Sequence, residues 1–229
     1  MAFSRTSDVF ESAKFTSTAV ASDTATLPTV NAGDLIYVWV TADSASNPTI
    51  TVSDPTNGSY TAKLKVNDVS NQAVQQFYFV NSVALSNVVV TANFSPSRPF
   101  VGMYARAEGG VDTAVGFDVQ NGQVQAAPGT GTDAIVSNTA TTTAIDFILG
   151  VGSATGAGSF SEVAGTGFSS DASNATMHCL VENKTQSGSG SDQGTWTDAT
   201  DGGSATYLSI FMAMAPVSGS ATSNIRTNL

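Results

Sequence analysis

At 229 residues the chain suits one all-β domain of roughly 200–250 residues better than two small ones, and it is long enough to need no metal or disulfide staple. A formal charge of −10 against 8 Lys plus Arg would repel a phosphate backbone, which excludes direct nucleic-acid binding. Only 11% of residues are charged and there is 1 Cys, so acid-base groups are few and an intrachain disulfide is excluded.

The opening MAFSRTSDVFESAK has no apolar core segment of a secretory signal, so the chain is expected to be made in a cytoplasm and not exported by that route. Residues 1–12 are polar and read as an N-terminal arm. Strands are predicted at about 13–20 and 23–28. The run GDLIYVWVTADSASNPTITVSDPTNGSY then reads as consecutive strands with polar turns. Its apolar part, Leu35 to Val40, is rich in β-branched and aromatic residues and is expected to be covered on both sides. Thr49 to Val52 alternate, and Asp54-Pro55-Thr56-Asn57-Gly58 places Pro at a turn corner ahead of an Asn-Gly pair, a hairpin signal. Further strands are predicted near 59–66, 73–83, 87–94, 98–108, 133–139, 145–153, 175–184 and 204–215, with two more near 115–119 and 192–198. Ile145, Phe147, Leu149 and Val151 alternate, as do Leu208, Ile210, Met212 and Met214. Two Gly- and Ser-rich stretches, 109–132 and 154–174, read as long loops, which serve either binding or surface padding.

The fold expected from this spacing is a single all-β antiparallel sandwich of jelly-roll type, with about 10–14 strands over residues 13–216. Polar arms at 1–12 and 217–229 flank it. In the C-terminal arm, VSGSATSNIRTNL, the residues Ile225, Arg226 and Leu229 are the candidate anchors on a neighbouring subunit. No apolar run approaches the ~18 residues of a membrane span.

Candidate chemistry is thin. His178 is the one imidazole, on a strand beside Thr176 and Leu180, and reads as an ordinary strand histidine rather than a general base. Cys179 reads as a small buried apolar residue. The segment Asp198 to Gly202 lacks the alternating carboxylates of a Ca²⁺ loop, and Gly150, Gly152 and Gly156 are one residue too long for a dinucleotide fingerprint. Glu11, Glu108, Glu162 and Glu182 are scattered, with no cue that two converge as a glycosidase pair. No catalytic, cofactor-binding or metal-ligating residue is assigned, and no enzyme activity is expected. Trp39 reads as core. Trp196, among Gly194, Thr195 and Asp198, reads first as a partly buried sheet tryptophan and otherwise as an exposed aromatic near loops; under the second reading Trp196 and Tyr207 are the candidate sugar contacts if the protein binds a glycan.

Two stretches, Thr24-Ala-Thr-Leu-Pro28 with Val30-Asn-Ala-Gly-Asp-Leu-Ile36, and Val52-Ser-Asp-Pro-Thr-Asn-Gly-Ser-Tyr-Thr61, carry a resemblance. Together with Gln76 to Val83 and Val88 to Phe94, they resemble a β-sandwich module of phage virion structural proteins, and are similar to modules of secreted bacterial glycan-associated proteins. The resemblance spans most of residues 14–215 and implies a non-enzymatic virion component. A capsid decoration or cement protein is the leading expectation; its partners would be the major capsid protein or other virion subunits. It implies homo-oligomers, commonly trimers, that tie capsomers through extended termini, and it carries over no catalytic residues and no cofactor. The alternative is a glycan-binding or tail-associated receptor-binding module.

Overall fold

The computed structural model describes residues 3–43, 47–68, 72–114, 117–126, 133–136, 140–142, 147–155, 162–174, 179–186, 190–198 and 206–217. Among them run seventeen strands and no helix. In chain order these are β1 Ser4–Val30, β2 Leu35–Asp43, β3 Thr49–Asp54, β4 Gly58–Ser59, β5 Thr61–Asp68, β6 Gln72–Val80, β7 Leu85–Gly109, β8 Phe117–Ala126 and β9 Asp133–Val136. They continue as β10 Ala140–Thr142, β11 Phe147–Thr155, β12 Glu162–Ala164, β13 Ser169–Asn174, β14 Cys179–Thr185, β15 Gly190–Asp192, β16 Thr195–Asp198 and β17 Thr206–Met214. All strand pairs are antiparallel. The all-β, sandwich-like architecture expected from the spacing is the one found.

The largest sheet has the order β4-β3-β7-β2-β6-β5, with β1 along the other side of β7. The first part of β7 pairs with β3 and the end of β1; its second part pairs with β2 and the beginning of β1. Only Tyr60 separates β4 from β5, so the chain also turns a corner there. The sheet therefore curls back on itself, nearly closing into a barrel. Its interior is a first core that includes Leu27, Ile36, Val38, Val40, Val52, Phe77, Val90 and Met103.

Side chains on alternate sides of a strand point to opposite faces, so Leu35, Tyr37 and Trp39 of β2 look away from that core. They meet Leu208, Ile210, Met212 and Met214 of β17 in a second core, against the sheet β13-β14-β11-β17-β8. The other face of β17 is covered too: Tyr207 packs with Trp196 of β16 and Leu180 of β14, and Phe211 and Ala213 pack with Val119 and Phe168. Strands buried on both faces read as continuous apolar runs, which is why LIYVWV and YLSIFMAM lack a polar side. Each large side chain fully buried this way contributes about 1.5–3 kcal/mol.

The Asp54 turn forms as its residues dictate. Asp54 Oδ1 accepts the backbone N–H groups of Thr56 and Asn57 at 2.8 Å each, and Oδ2 accepts the Tyr60 hydroxyl at 2.8 Å. Gly58 then takes φ +79°, a region closed to most L residues. The turn closes β3 onto β4.

Several expectations are corrected. Residues 4–11, read as an arm, pair along β7 from Ser4↔Gly109 to Glu11↔Met103; β7 offers an open row of backbone groups that a polar strand satisfies as well as an apolar one. The segments 13–20 and 23–28 belong to one strand, as do 87–94 and 98–108, because the turn residues between them bend the ladder at register shifts without breaking it. The stretch 109–132 contains β8, and 154–174 contains β12 and β13. The C-terminal anchors Ile225, Arg226 and Leu229 lie outside the described residues, as does His178, and so do the side chains of Phe147, Leu149, Val151 and Cys179.

Candidate functional site

The residues with the most chemistry stand on the face between the large sheet and the β13-containing sheet. Strand β7 carries Tyr104, Arg106 and Glu108 at alternate positions of the run VGMYARAEG. All face the second core, because Ala105 and Ala107 belong to the first. The Arg106 guanidinium bonds Glu108 Oε2 through Nε at 2.8 Å and through Nη2 at 2.6 Å. Its Nη1 bonds Asp171 Oδ2 of β13, tying the two sheets together. Arg5 of β1 reaches the second Asp171 oxygen at 2.6 Å and Asp8 at 3.1 Å. The Tyr104 hydroxyl lies 3.4 Å from Asp171 Oδ2.

Burial sets the electrostatics here. The side chains of Arg106, Glu108 and Asp171 are 3%, 1% and 1% exposed, so no solute reaches either carboxylate. Burial pushes the Glu108 carboxyl up, opposed by Arg106, and it pushes Asp171 up against the pull of Arg106 and Arg5. Burial also works against the Arg106 cation, but Tyr104, Glu108 and Asp171 outweigh it and hold its pKa above the usual value. Two carboxylates do converge, and they converge on a guanidinium. That geometry neutralises charge at a layer junction and presents neither an acid nor a nucleophile to a substrate.

A second cluster surrounds Glu182 of β14. Its Oε2 accepts the Gly165 N–H at 2.8 Å and its Oε1 the Thr195 N–H at 3.1 Å. Burial raises its pKa to about 7 against the effect of these two donors, with Asp192 adding to the rise and Lys184 opposing it. The indole of Trp196 and the Glu182 side chain lie where a side chain on Gly150 would stand: an added Cβ there would sit 2.9 Å from Glu182 Oε1 and 3.0 Å from Trp196 Cζ2. The glycine of the rejected dinucleotide pattern thus makes room for an inter-layer contact. Glu182 has the pKa of a general acid, but it is fully buried.

The sugar-contact expectation is overturned by burial. Trp196 is 1% exposed and Tyr207 0%, and they pack on each other across the outer face of β17. Gly194 and the short Gly- and Thr-rich strand around Trp196 suggest a surface loop in one dimension, yet they let the indole fold down onto β17. Neither ring has a face free to stack on a sugar.

Of the scattered glutamates, Glu108 and Glu182 fall in different clusters, and the side chains of Glu11 and Glu162 lie outside the described residues. Among the described residues no group of three His, Cys, Asp or Glu is arranged to hold a metal ion. The sequence reading missed the Arg5, Asp8, Arg106 and Asp171 cluster. A signal existed for part of it, since a basic and an acidic residue two apart on one face of an apolar strand indicate a buried pair. Nothing local marks Asp171, 65 residues from Arg106 in sequence.

The chain matches no family model, no characterised protein and no solved structure, so the resemblance to phage virion modules rests on the quoted residues alone.

Proposed function

We propose that the chain is a virion structural protein, a capsid decoration subunit that stabilises an outer shell by bridging its neighbours. The observation that carries this reading is the direction in which the chemistry points. Arg106, Glu108, Asp171, Glu182, Trp196 and Tyr207 all face inward and bind β layers to one another. What faces outward on the large sheet includes Thr24 and Thr26, Thr49 and Thr51, Asn93 and Ser95, all exposed. Such a body is a stiff support that acts through its surface. Its partners under this reading are the major capsid protein or other virion subunits, and copies of itself, with a trimer favoured by analogy. The competing glycan-binding reading loses its two named contacts to burial.

Mass spectrometry of purified particles tests the proposal. The chain is expected in virions at a copy number stoichiometric with a capsid lattice, and to rebind particles stripped of it. Its absence from particles, or recovery only with the tail, would overturn the decoration assignment.

A further inference from the structure

We propose that Asn121 is a self-modification site: the backbone nitrogen of Gly122 closes on the Asn121 side chain, expels ammonia, and leaves an aspartate or isoaspartate in β8, at the seam between the two larger sheets. The inference is independent of the virion reading.

The reacting groups are already in contact. The Gly122 N–H donates to Asn121 Oδ1 at 2.9 Å, so the nitrogen that must attack stands beside the carbonyl that must accept it. Ring closure between a side-chain amide and the next residue's nitrogen is intramolecular, and its rate depends on holding the two groups together. Glycine in the second position removes the Cβ that would crowd the ring. Strand β8 is the last strand of its sheet, paired there with β17, and the Gly122 N–H is aimed at the neighbouring side chain. Asn121 is half-buried, which leaves water access to the product.

The chemistry needs only water. The Gly122 nitrogen gives its proton to solvent and bonds to Asn121 Cγ; the carbon–nitrogen bond of the carboxamide breaks, and the amide nitrogen leaves with protons as ammonia. The product is a cyclic succinimide. Water then adds to either ring carbonyl. Breaking the new bond from Cγ to the Gly122 nitrogen gives aspartate, and breaking the original peptide bond gives isoaspartate. In sum, a carboxamide and water become a carboxylic acid and ammonia.

Two other sites show what the geometry adds. Asn57-Gly58 is the other Asn-Gly pair in the chain. There Asn57 Nδ2 donates to Asp54 Oδ2 at 2.9 Å and the Asn57 N–H donates to Asp54 Oδ1 at 2.8 Å, so Asp54 holds the carboxamide that would have to turn toward Gly58. At Asp192 the Gln193 N–H donates to Oδ1 at 2.9 Å, the same approach as at Asn121. The group it meets is a carboxylate paired with Lys184, which has no amine to expel.

The position gives the modification a consequence. A Cβ on Gly122 would stand 2.5 Å from Val66 Cγ2 and 2.9 Å from Leu64 Cδ2, and the Leu64 N–H donates to Gln120 Oε1 at 3.4 Å. Strands β5 and β8 thus meet at Gly122. Isoaspartate routes the main chain through the side-chain carbon and lengthens it between Asn121 and Gly122. That displaces Gly122 against Val66 and breaks the register in which Asn121 faces Phe211 and Gly122 faces Ile210.

Peptide mapping by mass spectrometry tests this on the full chain, folded and in urea, during incubation in mildly alkaline water enriched in heavy oxygen. In the folded protein Asn121 is expected to become a labelled acid about tenfold faster than Asn57; in urea the two pairs are expected to react alike. Equal rates in the folded protein, Asn57 reacting first, or an Asn121 carboxamide that stays intact would overturn the proposal. Hydrogen exchange in β5 and β8 is expected to be faster in aged than in fresh wild type, and unchanged by ageing in Asn121→Gln, whose longer side chain closes the ring poorly. Exchange in β5 and β8 that does not differ between aged and fresh wild type would overturn the loosening of the seam.

Discussion

Glu182 shows how a single buried group links layer packing to pH. Its folded-state pKa of about 7 lies above the ordinary 4.5 of a glutamate, so the folded protein holds this proton more tightly than the unfolded chain. The stabilisation from that proton is complete below pH 4.5 and is lost as pH rises through 7, a change of about 3 kcal/mol. Urea denaturation of wild type and Glu182→Gln between pH 4.5 and 8 is expected to show the variant gaining stability relative to wild type by that order as pH rises. A pH-independent difference would remove Glu182 as the source. Arg106 is where removal should hurt most. Arg106→Met leaves Glu108 and Asp171 buried without their shared partner and is expected to cost about 3–5 kcal/mol. Replacing all of Arg106, Glu108 and Asp171 with apolar residues should recover most of that loss.

Among the elements, β2 and β17 hold the layers together because each has two buried faces. Strand β17 contributes Leu208, Ile210, Met212 and Met214 to one side and Tyr207, Phe211 and Ala213 to the other. The partner of its outer face is β16, through Trp196. Trp196→Ala opens a cavity between β16 and β17 and is expected to cost about 3–5 kcal/mol. If the indole were instead a surface group, the loss would stay within about 0.5 kcal/mol. The same strands illustrate legibility at this scale. LIYVWV announces its double burial because no polar residue interrupts it. TWTD does not announce that of Trp196, because a lone tryptophan between threonines looks the same whether another layer lies over it or not.

For the whole molecule, the cores are not separable. Strand β2 feeds Ile36, Val38 and Val40 into the first core and Leu35, Tyr37 and Trp39 into the second, and Arg106, Arg5 and Asp171 join the sheets by charge. Disrupting either core therefore exposes one face of β2. Thermal unfolding is expected to be a single transition, with the same midpoint by tryptophan fluorescence and by far-UV circular dichroism. Separate midpoints would show that the β13-containing sheet unfolds independently. The absence of a long apolar helix among the described residues fits this body of strands, in which backbone donors and acceptors find partners in neighbouring ladders.

The sequence alone determined that the chain is built of antiparallel strands, where most of them lie, that the Asp54 turn closes a hairpin, and that Leu35 to Val40 is covered on both faces. These are local properties: side-chain period, turn chemistry and the lack of a polar side are written within a few residues. Only the tertiary structure decided that residues 4–11 complete the edge of β7, that Asp171 meets Arg106, and that Trp196 and Tyr207 close on each other. Each of these depends on segments far apart in the chain being brought together, and burial, which gives the charges and rings their role, is a property of that assembly.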